Sequence, residues 1–156
     1  MKKILLASFI ALMFSGCFVD MIREESHESL LKPDVEWVVY KIILESGEVI
    51  EPNWQWRELH SDMQFDVKQN RIFGKAVCNN YFATFALKGK QLTISHSGSS
   101  RRLCFSNESM DYEMKFLKNL EGSFEVRQKN KEMRLYSPRA TYYLREDSQA
   151  HDHSKQ

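Results

Sequence analysis

The sequence predicts an α+β fold, a single domain in which a curved antiparallel β-sheet of about eight short strands, strongly curved or partly closed, packs on one main α-helix. Three observations carry this expectation. Short stretches alternate apolar and polar residues with period two, turn signals separate them about every 8 to 12 residues, and one stretch alone, Asn107–Leu120, changes to helical spacing.

The strands are expected at 37–44, 63–67, 71–77, 81–88, 91–95, 123–128, 132–137 and 141–145. Met63, Phe65 and Val67 face one way while Gln64 and Asp66 face the other, the pattern of a sheet with one wet face, and Phe124 with Val126 and Met133 with Leu135 repeat it. Gly89 between two lysines, and Lys129-Asn130 between two alternating runs, read as tight hairpin turns because Gly and Asn tolerate positive φ. In the helical stretch Tyr112, Phe116, Leu117 and Leu120 form a stripe flanked by Met110 and Met114. Asn107 or Ser106 can cap its start, Glu108 and Asp111 suit the positive end of the helix dipole, and Gly122 stands where a left-handed C-terminal residue is wanted.

The chain of 156 residues divides into four parts. Lys2 and Lys3 precede an unbroken apolar and small run from Ile4 to Phe14, the layout of an export signal over residues 1–16. At a rise of about 1.5 Å per residue that run covers roughly 16 Å, too little for a hydrocarbon core about 30 Å thick. It ends in Phe14-Ser15-Gly16-Cys17, which resembles a bacterial lipobox, so Cys17 is the expected lipidation site; an ordinary cleavable signal is the alternative. Residues 17–34 read as a lipidated tether, with any helical turn near Leu30 and Leu31 ended by Pro33, residues 35–146 as the folded body, and residues 147–156 as a disordered tail. Two or three acyl chains on Cys17 hold a membrane without a second anchor. Phe18 after the cysteine, where an inner-membrane lipoprotein often has Asp, points to the outer membrane facing the periplasm.

Composition excludes several function classes. Lys plus Arg number 22 against 21 Asp plus Glu, for a formal charge of +1, and no long same-sign block occurs. A nucleic-acid partner is therefore not expected. Hydrophobic residues at 42% and aromatic residues at 12% supply a core for one domain, while a mean hydropathy of −0.50 excludes a multi-span membrane protein.

Once Cys17 is assigned to lipid, Cys78 and Cys104 remain, and in an oxidising compartment they are expected to pair. Such a bond would tie the end of the 71–77 strand to the start of the helix. Two buried thiols, or a reactive or metal-binding cysteine, are the alternatives, and no Cys-x-x-Cys supports the last.

Gly74, the run Cys78-Asn79-Asn80-Tyr81-Phe82-Ala83-Thr84-Phe85, then Leu92-Thr93-Ile94, Arg101-Arg102-Leu103-Cys104 and the helix ending Phe116-Leu117-Lys118-Asn119-Leu120 together resemble the META domain of the HslJ-like lipoproteins. The resemblance covers about residues 37–145. It departs at Val77, where the family prefers Gly before the cysteine, and at Ala83, where it also prefers Gly. It implies an exported, often membrane-anchored α+β domain associated with envelope stress, drug tolerance or secretion, and it supplies no catalytic residues. It carries Cys78 and Cys104 over as a pair and Asn79 as a turn residue whose side chain bonds local backbone, with a ligand-donor role as the alternative.

Signals for chemistry are sparse. No Gly-x-Ser-x-Gly, His-Glu-x-x-His, P-loop or Gly-x-Gly-x-x-Gly motif occurs, so an enzyme is not expected, and neither a cofactor nor a metal site is expected. His60-Ser61-Asp62 reads as a surface loop rather than a catalytic grouping, and His151-Asp152-His153 as a solvated tail with at most adventitious metal binding. Trp54 and Trp56 are candidate partner-binding residues or a cover for the open end of the sheet. Arg101 and Arg102, joined by Lys88 and Lys90 if the sheet brings them near, are a candidate basic patch for anionic lipid or an acidic partner, with a plain solvated face as the alternative. The function expected is a lipid-anchored, non-catalytic binding or structural module in envelope maintenance or stress tolerance. A periplasmic lysozyme inhibitor is the alternative.

Overall fold

The computed structural model describes residues 30–53 and 60–147. The strands are β1 (Trp37–Leu44), β2 (Val49–Ile50), β3 (Asp62–Asp66), β4 (Arg71–Lys75), β5 (Asn80–Lys88) and β6 (Gln91–Ser99). Helix α1 (Asn107–Leu120) follows, and then β7 (Gly122–Lys129), β8 (Glu132–Tyr136) and β9 (Ala140–Glu146). Leu30 and Leu31 are helical and stop before Pro33.

The expected sheet packed on a main helix is corrected by one pairing. β9 lies antiparallel to β1 along its whole length, from Trp37 opposite Glu146 to Leu44 opposite Ala140. The strands β1-β3-β4-β5-β6-β7-β8-β9 therefore close into an eight-stranded antiparallel barrel, with β2 as a two-residue addition to β1. Local alternation looks the same in an open curved sheet and in a closed barrel, because only the partner of the last strand differs. Closure also leaves fewer edges to protect.

Alternation sorts the residues by side. Along β5 Tyr81, Ala83 and Phe85 point inward and Asn80, Phe82, Thr84 and Ala86 outward. In β1 the phase changes: Trp37 and Val39 are inward, then a bulge between Val39 and Lys41 turns Ile42 inward. A second bulge lets β6 continue past Ser95 to Ser99, with His96 at φ 54°. Gly89 (φ 59°) and Asn130 (φ 57°) occupy the two turns expected of them.

Helix α1 has the expected bounds, begins at Ser106 with a reciprocal Ser106–Ser109 capping box, and ends through an extended Glu121. Gly122 is not the left-handed cap but the first residue of β7, at φ 132°. The helix covers one end of the barrel. The Phe116 ring packs 5.1 Å from Tyr81 on β5 and 5.4 Å from Tyr142 on β9, centroid to centroid. Those two strands lie on opposite sides of the ring of eight, so Phe116, fully buried, plugs the mouth between them. At the other end Leu31 is buried and accepts a hydrogen bond from Trp37 Nε1 at 3.2 Å, and Lys32 reaches the carbonyl of Asn130 in the β7–β8 turn. Among the described residues no helix is long and apolar enough to cross a membrane.

Candidate functional site

Among the described residues, two arrangements bring chemistry-bearing side chains together. The first lies at the helix-covered end. β4 stops at Lys75, Val77 adopts φ 134° with its side chain buried, and the chain turns through Cys78 and Asn79 into β5. Cys78 and Cys104 are joined in a disulfide with their Cα atoms 5.8 Å apart, as expected.

Asn79 is buried, and every polar atom of its side chain is used. Oδ1 accepts from Ser100 Oγ and from the Arg102 N–H, both at 2.7 Å, while Nδ2 donates to the Arg102 carbonyl at 3.0 Å and to Glu113 Oε1. Glu113, on α1 and buried, also accepts from the N–H groups of Cys78 (3.1 Å) and Asn79 (2.8 Å) at Oε2. This carboxylate is held by backbone and amide donors, with no cation in the set. Asn79 therefore acts as a structural fastener rather than a ligand donor. Cys78, Cys104 and Glu113 also lie close enough to suggest a metal triad, but the bonded sulfurs offer no thiolate.

The consequence is a rigidly held display segment. Residues 100–106 are fixed by Ser100 N–H to the Asn80 carbonyl (2.9 Å), by both backbone groups of Arg102, by the disulfide and by the Ser106 cap. Between these fixed points Arg101, Arg102, Leu103 and Phe105 turn outward, Leu103 being 87% exposed and Phe105 97%. Met110 and Met114, one helical turn apart on the outer face of α1, are exposed too. Lys88 and Lys90 do not join the arginines. They sit at the β5–β6 turn, roughly 25 Å of strand away from the Ser99 end of β6, so the candidate patch shared with the lysines is not formed.

The second arrangement is on the outer wall where β1 meets β3. His60 and Asp62 are two residues apart on an extended chain, so their side chains share one face, and Glu36 joins them from the approach to β1. His60 Nε2 lies 3.1 Å from Glu36 Oε1 and 3.1 Å from Asp62 Oδ2. Asp62 is buried, and its Oδ1 accepts the Lys75 N–H at 3.2 Å. Gly74 makes the room, since a Cβ there would lie 2.3 Å from the Asp62 carbonyl oxygen and 2.7 Å from Oδ1. Burial and then the Asp62 charge hold the Glu36 carboxyl above its usual range, while the hydrogen bond to Asp62 raises the His60 imidazole against the opposing pull of burial.

The surface-loop reading of residues 60–62 is thus corrected: His60 is fixed and Asp62 is covered. Ser61 turns the other way, into the interior beside the Tyr112 hydroxyl, without well-formed hydrogen-bond geometry there. It cannot reach His60 as a nucleophile.

The family model for the META domain matches residues 29–149. The chain belongs to the META domain family. An NMR structure of a protein from Burkholderia xenovorans is similar to this META domain at 20% identity and a TM-score of 0.62, over 77% of this chain and 86% of that one. A second NMR structure matches at 15% identity and a TM-score of 0.56, over 76% of this chain and 92% of that one. At such identities the two support the fold alone. A search of the curated proteins finds no match.

Cys17, Trp54 and Trp56, together with the 147–156 tail beyond Asp147, lie outside the described residues. Sequence reasoning missed Glu113 and Glu36. Glu113 was legible in part, because it stands three residues before Phe116 and seven before Leu120, on the stripe that faces the barrel.

Proposed function

We propose that this META domain is a lipid-anchored, non-catalytic binding module of the bacterial envelope, held by Cys17 in the outer membrane, and that residues 101–105 are its contact surface for an envelope protein. The observation that carries the reading is the near-complete exposure of Leu103 and Phe105 on a segment fixed at both ends. Large apolar side chains held rigid in water cost hydration without a packing return, whereas a partner that covers them gains that area at little ordering entropy. Arg101 and Arg102 beside them add the planar donors that recognise carboxylates.

A protein partner is favoured over the anchoring bilayer by the layout of the barrel. The chain enters at the Leu31 end, where Lys32 touches the β7–β8 turn, and the display segment is at the opposite, helix-covered end. An anchor before residue 30 therefore joins the barrel at the end away from Leu103 and Phe105.

The test is photo-crosslinking in intact cells from positions 103 and 105 of the lipidated chain, with Lys88 at the opposite end as the control position. The reading expects one dominant envelope protein captured from 103 and 105, absent from 88 and lost in an Arg101→Glu, Arg102→Glu variant. Lipid adducts alone at 103 and 105, or equal capture from all three positions, would overturn it.

A further inference from the structure

We propose that Glu36, His60 and Asp62 form a binding site for a divalent cation of borderline softness, for which zinc is the best-fitting probe. The three ligand atoms lie within 4.8 Å of one another. The two separations from His60 Nε2, both 3.1 Å, approach the edge of a ligand tetrahedron, about 3.3 Å for metal–ligand bonds of roughly 2.0 Å. One imidazole nitrogen and two carboxylate oxygens are ligands that zinc accepts, and a water completes the fourth position.

Hydrogen bonding alone serves this trio poorly. Nε2 carries at most one hydrogen, and that hydrogen cannot lie in line with Glu36 Oε1 and Asp62 Oδ2 together. Even with His60 protonated, two carboxylates face one positive charge, and Lys75 is the nearby cation that acts on His60. A divalent ion at the centre meets all three atoms at once and removes the charge deficit.

The surroundings also fit a ligand set. The Lys75 N–H occupies Asp62 Oδ1 and so leaves Oδ2 turned towards the imidazole, the outer-sphere orientation that metal-binding carboxylates need. Gly74 seats Asp62 by giving up its Cβ. The Asp147 N–H bonds the Glu36 carbonyl at 2.9 Å and fixes the backbone beneath the third ligand. The His60 side chain is 45% exposed against 7% for Asp62, so the pair offers one buried anchor and one face open to an arriving ion and its water.

The experiment is calorimetric titration of zinc into the full chain in detergent, with His151→Ala and His153→Ala present throughout to remove the histidines of the tail. One equivalent should bind, with affinity reduced at least tenfold by His60→Ala and by Glu36→Gln. Glu36→Gln leaves the Asp62–Lys75 contact in place and guards against a folding defect. Cobalt substitution should give the intense visible bands of a tetrahedral site, lost in the same two variants. Absence of one-equivalent binding, or binding that both variants leave unchanged, overturns the proposal. So does an octahedral cobalt spectrum. None of these readouts depends on the 101–105 surface.

Discussion

Asn79 and Arg102 exchange two hydrogen bonds, Arg102 N–H to Asn79 Oδ1 at 2.7 Å and Asn79 Nδ2 to the Arg102 carbonyl at 3.0 Å. A side-chain amide here does what a neighbouring strand would do, satisfying a backbone donor and acceptor in a segment that belongs to no sheet. Asn79→Ala should therefore cost about 2 to 4 kcal/mol, since it takes the donor from the buried Glu113 Oε1 and both side-chain partners from the Arg102 backbone. Asn79→Asp keeps the shape but replaces the donor facing Glu113 with a second carboxyl group. Its penalty should exceed that of Asn79→Ala, because two carboxyl groups then face each other across a buried contact. Urea denaturation reads both effects, and wild-type stability of Asn79→Asp would refute the role given to Asn79.

The disulfide acts on the same segment from its other end. Cys78 and Cys104 are 26 positions apart, and closing a loop of that size is worth about 3.5 kcal/mol in the chain-entropy model. The Cys78→Ser, Cys104→Ser double variant should lose roughly that much while keeping its β-rich circular dichroism. Amide exchange at residues 100–105 should accelerate more than in β7 and β8. Uniform acceleration over the whole barrel would mean that the bond stabilises the fold without specifically holding the display segment.

Val77 is a buried β-branched residue at φ 134°, a backbone region that favours glycine. It is also one of the two positions where the resemblance to the family is broken, because the family prefers Gly there. Removing the side chain gives up burial worth about 1.5 to 3 kcal/mol and relieves strain of about 1 to 3 kcal/mol. Val77→Gly should thus be close to neutral. Val126, equally buried in the regular strand β7, has no strain to release, so Val126→Gly should cost about 3 kcal/mol or more. Equal penalties for the two variants in thermal or urea unfolding would refute the assignment of strain to Val77.

These residues also separate what was legible in the sequence from what was not. The eight staves and the helix could be placed because period two and period 3.6 are local signals, readable within a dozen residues. Barrel closure depends on Trp37 meeting Glu146, a contact across most of the chain that leaves no mark on either strand. The display segment was half legible. Arg101 and Arg102 stood out by charge, but the exposure of Leu103 and Phe105 follows from the fastening of Arg102 and Cys104, which needs Asn79 and Glu113 in place. In the outer-wall trio the two-residue spacing of His60 and Asp62 was visible, whereas Glu36 arrives from another strand through register alone.

Three phenols make the interior titratable from the alkaline side. Tyr81, Tyr112 and Tyr142 are buried, and burial above all holds each phenol above its ordinary value. Tyr81 donates to the Asp62 carbonyl at 2.9 Å and Tyr142 to the Phe116 carbonyl at 2.7 Å, so ionisation would turn two donors into anions facing carbonyl oxygens. Below about pH 10 the folded and unfolded chains both keep these protons, and stability does not depend on them. Above that value the unfolded chain releases protons that the folded chain retains, so stability falls as pH rises, until the phenols ionise with the barrel opening around Phe116. With six tyrosines in the chain, absorbance at 295 nm should rise in two stages. The later stage, from Tyr81, Tyr112 and Tyr142, appears together with loss of the near-ultraviolet circular dichroism. Tyr142→Phe should remove part of the second stage and flatten the alkaline decline in stability. A single smooth titration of all six phenols near pH 10, with the tertiary signal intact, would mean that the Phe116 end of the barrel is open to water.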